Sequence, residues 1–127
     1  MKVLNTLSSI GFLKQKGSII MVYLSNAFSL QMLDMSHPNT ISTALTSIDD
    51  VKAALSESTF TSAIGHADTA IVVSNILNIP IDPNRISIKL GNDDILYVAQ
   101  VVGGRLPEGA TTIPAGMSIS FIKVTLS

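Results

Sequence analysis

Apolar positions along this chain recur with two different periods, and each change of period marks a change of element. From 17 to 28 the run GSIIMVYLSNAF is apolar and β-branched, which predicts a largely buried strand. SLQMLDM, at 29–35, fits a short helical turn ended by SHPN, and TISTALTS, at 40–47, alternates as a strand does. In SIDDVKAALSE, Ser47 and two acids precede Val51, Ala54 and Leu55 at helical spacing, so a short capped helix is expected. FTSAI, at 60–64, reads as a strand leading to Gly65. ADTAIVVSNILNI is apolar nearly all round and stops before Pro80, consistent with a buried helix.

Beyond the turn IDPNR, RISIKL alternates with Ile86, Ile88 and Leu90 facing one way, and GNDD reads as a hairpin turn into the buried strand ILYVAQVV. A long loop from 103 to 116 follows, and MSISFIKVTL closes the chain as a strand. The expectation is a single mixed α/β domain, a five- to six-stranded mixed sheet with flanking helices.

Residues 1–20 read as an N-terminal extension, and 21–127 as the core domain. Lys2 and the short apolar run behind it weakly resemble a signal peptide. However, Asn5, Ser8 and Ser9 interrupt the run, and KQKG stands where a small-residue cleavage site would be needed. No stretch approaches the roughly 20 apolar residues of a membrane span. Of the 127 residues 46% are apolar and only 13% charged, which argues against disorder and for a surface partly covered by another subunit. A net charge of −1 disfavours a coat for duplex nucleic acid, which needs many phosphate contacts. Without cysteine there is no disulfide or thiolate site, and two scattered histidines give poor support for a transition metal.

Three stretches could carry chemistry. Gly65–His66 stands where a strand passes into a helix, and the amides and dipole of a helix start attract anions. A histidine there could exchange a proton with a phosphate ester, or be an idle residue near a cap. In GGRLPEGA one of two arginines, Arg105, precedes one of two glutamates, Glu108, by three residues in a loop behind a buried strand. Arginine matches phosphate bidentately, and a carboxylate can orient a histidine. The same pair could also be an exposed ion pair worth under about 1 kcal/mol. Asn26, Ser29 and Gln31 cluster at the end of the first strand, where they suit either sugar hydroxyls and bases or a simple turn. Arg85 begins the RISIKL run, and Asp68 fits a first-turn acid that complements the helix dipole.

VYLSNAFSLQML, SAIGHADTAIVVSNIL, PNRISIKL, LYVAQ and RLPEG, in this order and spacing, resemble the viral type III anti-CRISPR ring nucleases, small proteins of archaeal viruses, phages and some prokaryotic genomes. The resemblance covers residues 21 to about 109. It implies a ring-nuclease-like homodimer of mixed α/β subunits acting in the host cytoplasm, with no membrane or duplex nucleic acid as partner. The substrate would be cyclic tetra-adenylate, the messenger of type III CRISPR complexes. Cleavage without metal or cofactor would leave linear di-adenylates with 2′,3′-cyclic phosphate ends. The family's histidine, arginine and glutamate fall on His66, Arg105 and Glu108. Its ligand-contacting positions fall on Asn26, Ser29, Gln31, Thr69, Arg85 and Gln100.

The resemblance departs in three places. Asp68 stands where the family carries serine, Gly103–Gly104 lengthens the loop before Arg105 by one residue, and ATTIPAGMSISFIKVTLS replaces a charged helix. These departures keep a second reading in view, a binding protein that sequesters cyclic oligoadenylate or another cyclic nucleotide without cleaving it.

Overall fold

The computed structural model describes residues 20–127, so the extension up to residue 19 and the beginning of the run from 17 lie outside the described residues. The first strand, β1 (Val22–Ser25), is shorter than its apolar run. Ser25 explains the early stop, because its hydroxyl accepts the Ala27 N–H at 3.3 Å and turns the chain out of the sheet. A 3-10 turn follows at Leu30–Met32, begun by Ser29, whose hydroxyl accepts the Gln31 N–H at 3.2 Å. The strand β2 (Ile41–Thr46) and helix α1 (Ile48–Glu57) lie as expected. Ser47 caps α1 by accepting the Asp50 N–H at 3.0 Å, with Asp49 and Asp50 in the first turn.

β3 (Thr61–Ser62) is only two residues long, and α2 (Ala67–Leu77) ends at Asn78, which takes the left-handed conformation at φ 54°. β4 (Ile95–Val102) and β5 (Ser118–Leu126) complete the sheet. The strand order is β2-β5-β4-β1-β3, with β1 parallel to both β3 and β4, and β5 antiparallel to both β4 and β2. Five strands and two helices make a mixed α/β domain with an open sheet. Its register joins distant segments, since Val22 pairs with Ile95 and Ile41 with Leu126.

RISIKL is not a strand, which corrects the sixth strand and the hairpin. Both edges of β4 are already taken, one by β1 and the other by β5, so 85–90 cannot form the expected hairpin with it. It packs instead across one face of the sheet, where Leu90 N–H donates to the Met32 carbonyl at 2.7 Å and Lys89 Nζ to that of Gln31 at 2.7 Å. Ile88 and Leu90 are buried, whereas Ile86 is 44% exposed. GNDD does turn, and Asp94 anchors it by accepting N–H groups from Gly91 at 2.8 Å and Met21 at 3.0 Å.

Alternation along β4 divides the core. Tyr97 and Ala99 join Leu24, Phe121 and the buried faces of both helices, which supply Val51, Leu55, Ala70, Val73 and Leu77. Leu96 and Val98 face the other way, into a cluster with Leu33, Ile88, Leu90, Val124 and Leu126. Burial, with the Asp50 charge nearby, holds the Tyr97 phenol above its ordinary range. The edge strand β2 is left open, with Ile41 37% and Leu45 79% exposed. No helix among the described residues is long and apolar enough to cross a membrane.

Candidate functional site

Three parallel strands place three loops side by side. Since β3 and β4 both run parallel to β1, the carboxyl ends of all three lie at one edge of the sheet. Ligands of open α/β sheets bind outside such ends. Asn26 follows β1, Gly65–His66 follows β3, and Gly103–Arg105 follows β4. Between them lies a cleft of about 830 Å³, lined by Asn26, His66, Asp68, Thr69, Gln100, Arg105, Leu106 and Glu108, with Ala99, Val101 and Gly104.

His66 is the N-cap of α2, with extended backbone (φ −114°, ψ 129°) and no capping hydrogen bond from its side chain. Its carbonyl accepts the first helical bond, from Ala70 N–H at 3.0 Å, while the exposed imidazole remains at the cleft. The amides of the first turn have no partner within the helix, and their partial positive charge favours an anion beside His66. Asp68 opposes that field with a negative charge of its own.

The loop carrying Arg105 and Glu108 is built to hold a shape. Gly103 has φ +102°, and a Cβ there would lie 2.9 Å from the Gly116 carbonyl oxygen, so only glycine lets the two ends of the loop approach. A turn at Pro107–Ala110 is closed by the Ala110 N–H on the Pro107 carbonyl at 3.1 Å. Asp68 Oδ2 accepts the Gly109 N–H at 3.0 Å, and Asn75 Nδ2 donates to the Thr111 carbonyl at 2.7 Å. Arg105 and Glu108 form no ion pair with each other among the described residues. The exposed-pair reading of RLPEG therefore loses its contact.

The structure thus brings six expected residues together: His66, Arg105, Glu108, Asn26, Thr69 and Gln100. Asn26 and Gln100 also border an apolar depression of about 330 Å³ floored by Phe28, Val98, Ile122 and Val124. Arg85 lies behind the cleft, packed over Gly65 with its Nη2 at 3.5 Å from the Gly65 carbonyl. Ser29 and Gln31 line a different groove, between the 3-10 turn and Ile86–Lys89, where Ser29 acts as a cap. His37 stands apart, 3.6 Å from Asp34. Asp68 is the cleft residue whose contact sequence reasoning missed. Its partner is 41 residues away, and no local pattern announces it. Among the described residues no group of three or more histidine, aspartate or glutamate side chains converges to hold a metal ion.

A family model described as STIV B116-like matches residues 22–121, a span that contains every residue of the cleft. It extends past Gly109, where the resemblance read from the sequence ends. No curated protein matches the chain. Among solved structures, B116 of Sulfolobus turreted icosahedral virus is similar, with a TM-score of 0.66 and 26% identity over 83% of this chain and 98% of that one.

Proposed function

The chain belongs to the STIV B116-like family, the family of viral anti-CRISPR ring nucleases that its sequence resembles, and from that premise we propose that it cleaves cyclic tetra-adenylate to linear di-adenylate with 2′,3′-cyclic phosphate ends. The observation that carries the reading is the meeting of His66, Arg105 and Glu108 in one polar cleft at the helix start. In the reaction a ribose 2′-oxygen attacks the adjacent phosphorus while a solvent water takes its proton. The bond from phosphorus to the 5′-oxygen breaks, and His66 delivers a proton to that departing oxygen. Arg105 and the amides of the first turn of α2 stabilise the charge on the phosphoryl oxygens. Glu108, across the same cleft, orients the imidazole once the ring is bound. No step requires a metal ion, and the cytoplasm, where the messenger is made, is the place of action.

Incubation with radiolabelled cyclic tetra-adenylate in EDTA tests this, with di-adenylate as the expected product. A ring held tightly but recovered intact would establish the second reading, sequestration. Arg105→Ala is expected to lose about 10²–10³-fold in cleavage and to bind more weakly, because a phosphate partner acts in ground and transition states alike. Glu108→Ala should bind normally and lose on the order of 10²-fold in rate, through a misplaced imidazole. Full activity in either variant would remove that residue from the mechanism.

The ring also bears on assembly. A cyclic tetranucleotide contains a two-fold axis, so a two-fold dimer can offer the same cleft to both halves and cut twice. Exposed Ile41 and Leu45 on an edge strand, in a chain only 13% charged, support a covered face. Light scattering is expected to give a dimer, and titration one ring per two chains. A monomer, or one ring per chain, overturns the shared site.

A further inference from the structure

Asp68 has a partner that helix-dipole chemistry alone does not call for. Its carboxylate reaches out of the first turn of α2 and accepts the Gly109 N–H at 3.0 Å. Gly109 immediately follows Glu108, and Cα atoms of successive residues are held about 3.8 Å apart. The bond therefore fixes the peptide unit that carries Glu108.

From 103 to 116 the chain has no helix or strand of its own, and a loop of that length needs outside anchors to hold a side chain in place. Asn75 provides a second one, from its Nδ2 to the Thr111 carbonyl at 2.7 Å. Residues 68 and 75 are seven apart on one helix, so they lie on a common stripe, about 10 Å apart along the axis. The loop is laid along that stripe, with Gly109 (φ +81°) turned so that its amide faces Asp68.

On the reading that this cleft cleaves its ligand, we infer that Asp68 is a positioning residue, a latch that ties the Arg105–Glu108 loop to the helix that begins at His66. A carboxylate beside an anionic ligand is otherwise a liability. Directed at the Gly109 amide, it sets the distance between the two halves of the site. It touches neither the reacting phosphorus nor the leaving oxygen in this role.

The test uses the whole chain and reads the loop separately from the chemistry. In Asp68→Ala, exchange of the Gly109 amide is expected to rise about 5–20-fold, as a charge-assisted bond is lost. Tryptic cleavage after Arg105 should accelerate alongside it. Asp68→Asn keeps an acceptor oxygen and should stay within about threefold of the original protein in both measurements. With cyclic tetra-adenylate, Asp68→Ala should lower the single-turnover rate about 10–100-fold while changing ring affinity less than about threefold, and Asp68→Asn should restore the rate. Unchanged Gly109 exchange in Asp68→Ala, or an Asp68→Asn variant as loose as Asp68→Ala, overturns the latch. If the unaltered protein leaves the ring intact, the cleavage reading fails by itself, and exchange and proteolysis still decide the latch.

Discussion

His66→Ala is expected to bind cyclic tetra-adenylate nearly as well as the unaltered protein and to cleave it 10²–10⁴-fold more slowly, the usual cost of losing a general acid at about neutral pH. The fold should be indifferent to the change. His66 occupies the N-cap of α2 without giving it a side-chain hydrogen bond, so alanine removes no capping bond. Its side chain is exposed and lies outside both apolar clusters. Single-turnover cleavage, with thermal unfolding as a control, checks the expectation. A variant that keeps more than about a tenth of the rate shows that the proton comes from elsewhere.

The largest effect on stability is expected at Phe121. It is 1% exposed on β5, paired across to Ala99 on one side and Thr46 on the other, beneath both helices. Phe121→Ala removes a buried ring and leaves a cavity that two flanking strands cannot close, a loss of about 3–5 kcal/mol. Against a total of roughly 5–15 kcal/mol, that is enough to bring the domain near the edge of folding. Leu30→Ala, at a side chain 64% exposed on the 3-10 turn, should stay within about 0.5 kcal/mol. Urea unfolding measures both, and a loss below about 1 kcal/mol at Phe121 would mean that the site collapses around the missing ring.

Elements specified by local chemistry were legible in the sequence. Ser47 with Asp49 and Asp50 announces α1 before any contact is known, and the alternating pattern of β5 announces a strand, though its buried Phe121 and Val124 face opposite clusters. RISIKL shows where such reading stops. Its alternation reports one buried face, which Ile88 and Leu90 do have, but does not report whether a neighbouring strand has a free edge. β1 falls short for a similar reason, since one hydroxyl at Ser25 outweighs a run of strand-forming residues.

The site divides the same way. His66 stands out because a strand-to-helix junction has its own electrostatics. That Asn26, Gln100 and Arg105 reach the same cleft depends on β1, β3 and β4 being parallel, which periodicity does not report; resemblance alone grouped these residues. Ser29 and Gln31 are near Asn26 in the chain, yet the turn they build carries them to another groove.

The sheet's register also sets an order in time. Ile41 finds its partner at Leu126, and Val22 finds its own at Ile95, so two of the four ladders wait for residues from the far half of the chain. Non-local pairing of this kind incurs loop-closure entropy before contacts offset it, and folding then takes roughly milliseconds to seconds. During synthesis β2 leaves the ribosome long before β5 exists, and until then it offers an unpaired strand to any other chain. The loop from 103 to 116 is drawn into place only as β5 closes on β4. The β4–β5 ladder is the most local in the sheet, so the loop carrying Arg105 and Glu108 closes with it. That loop is expected to meet His66 only once β1 has joined β4 to β3.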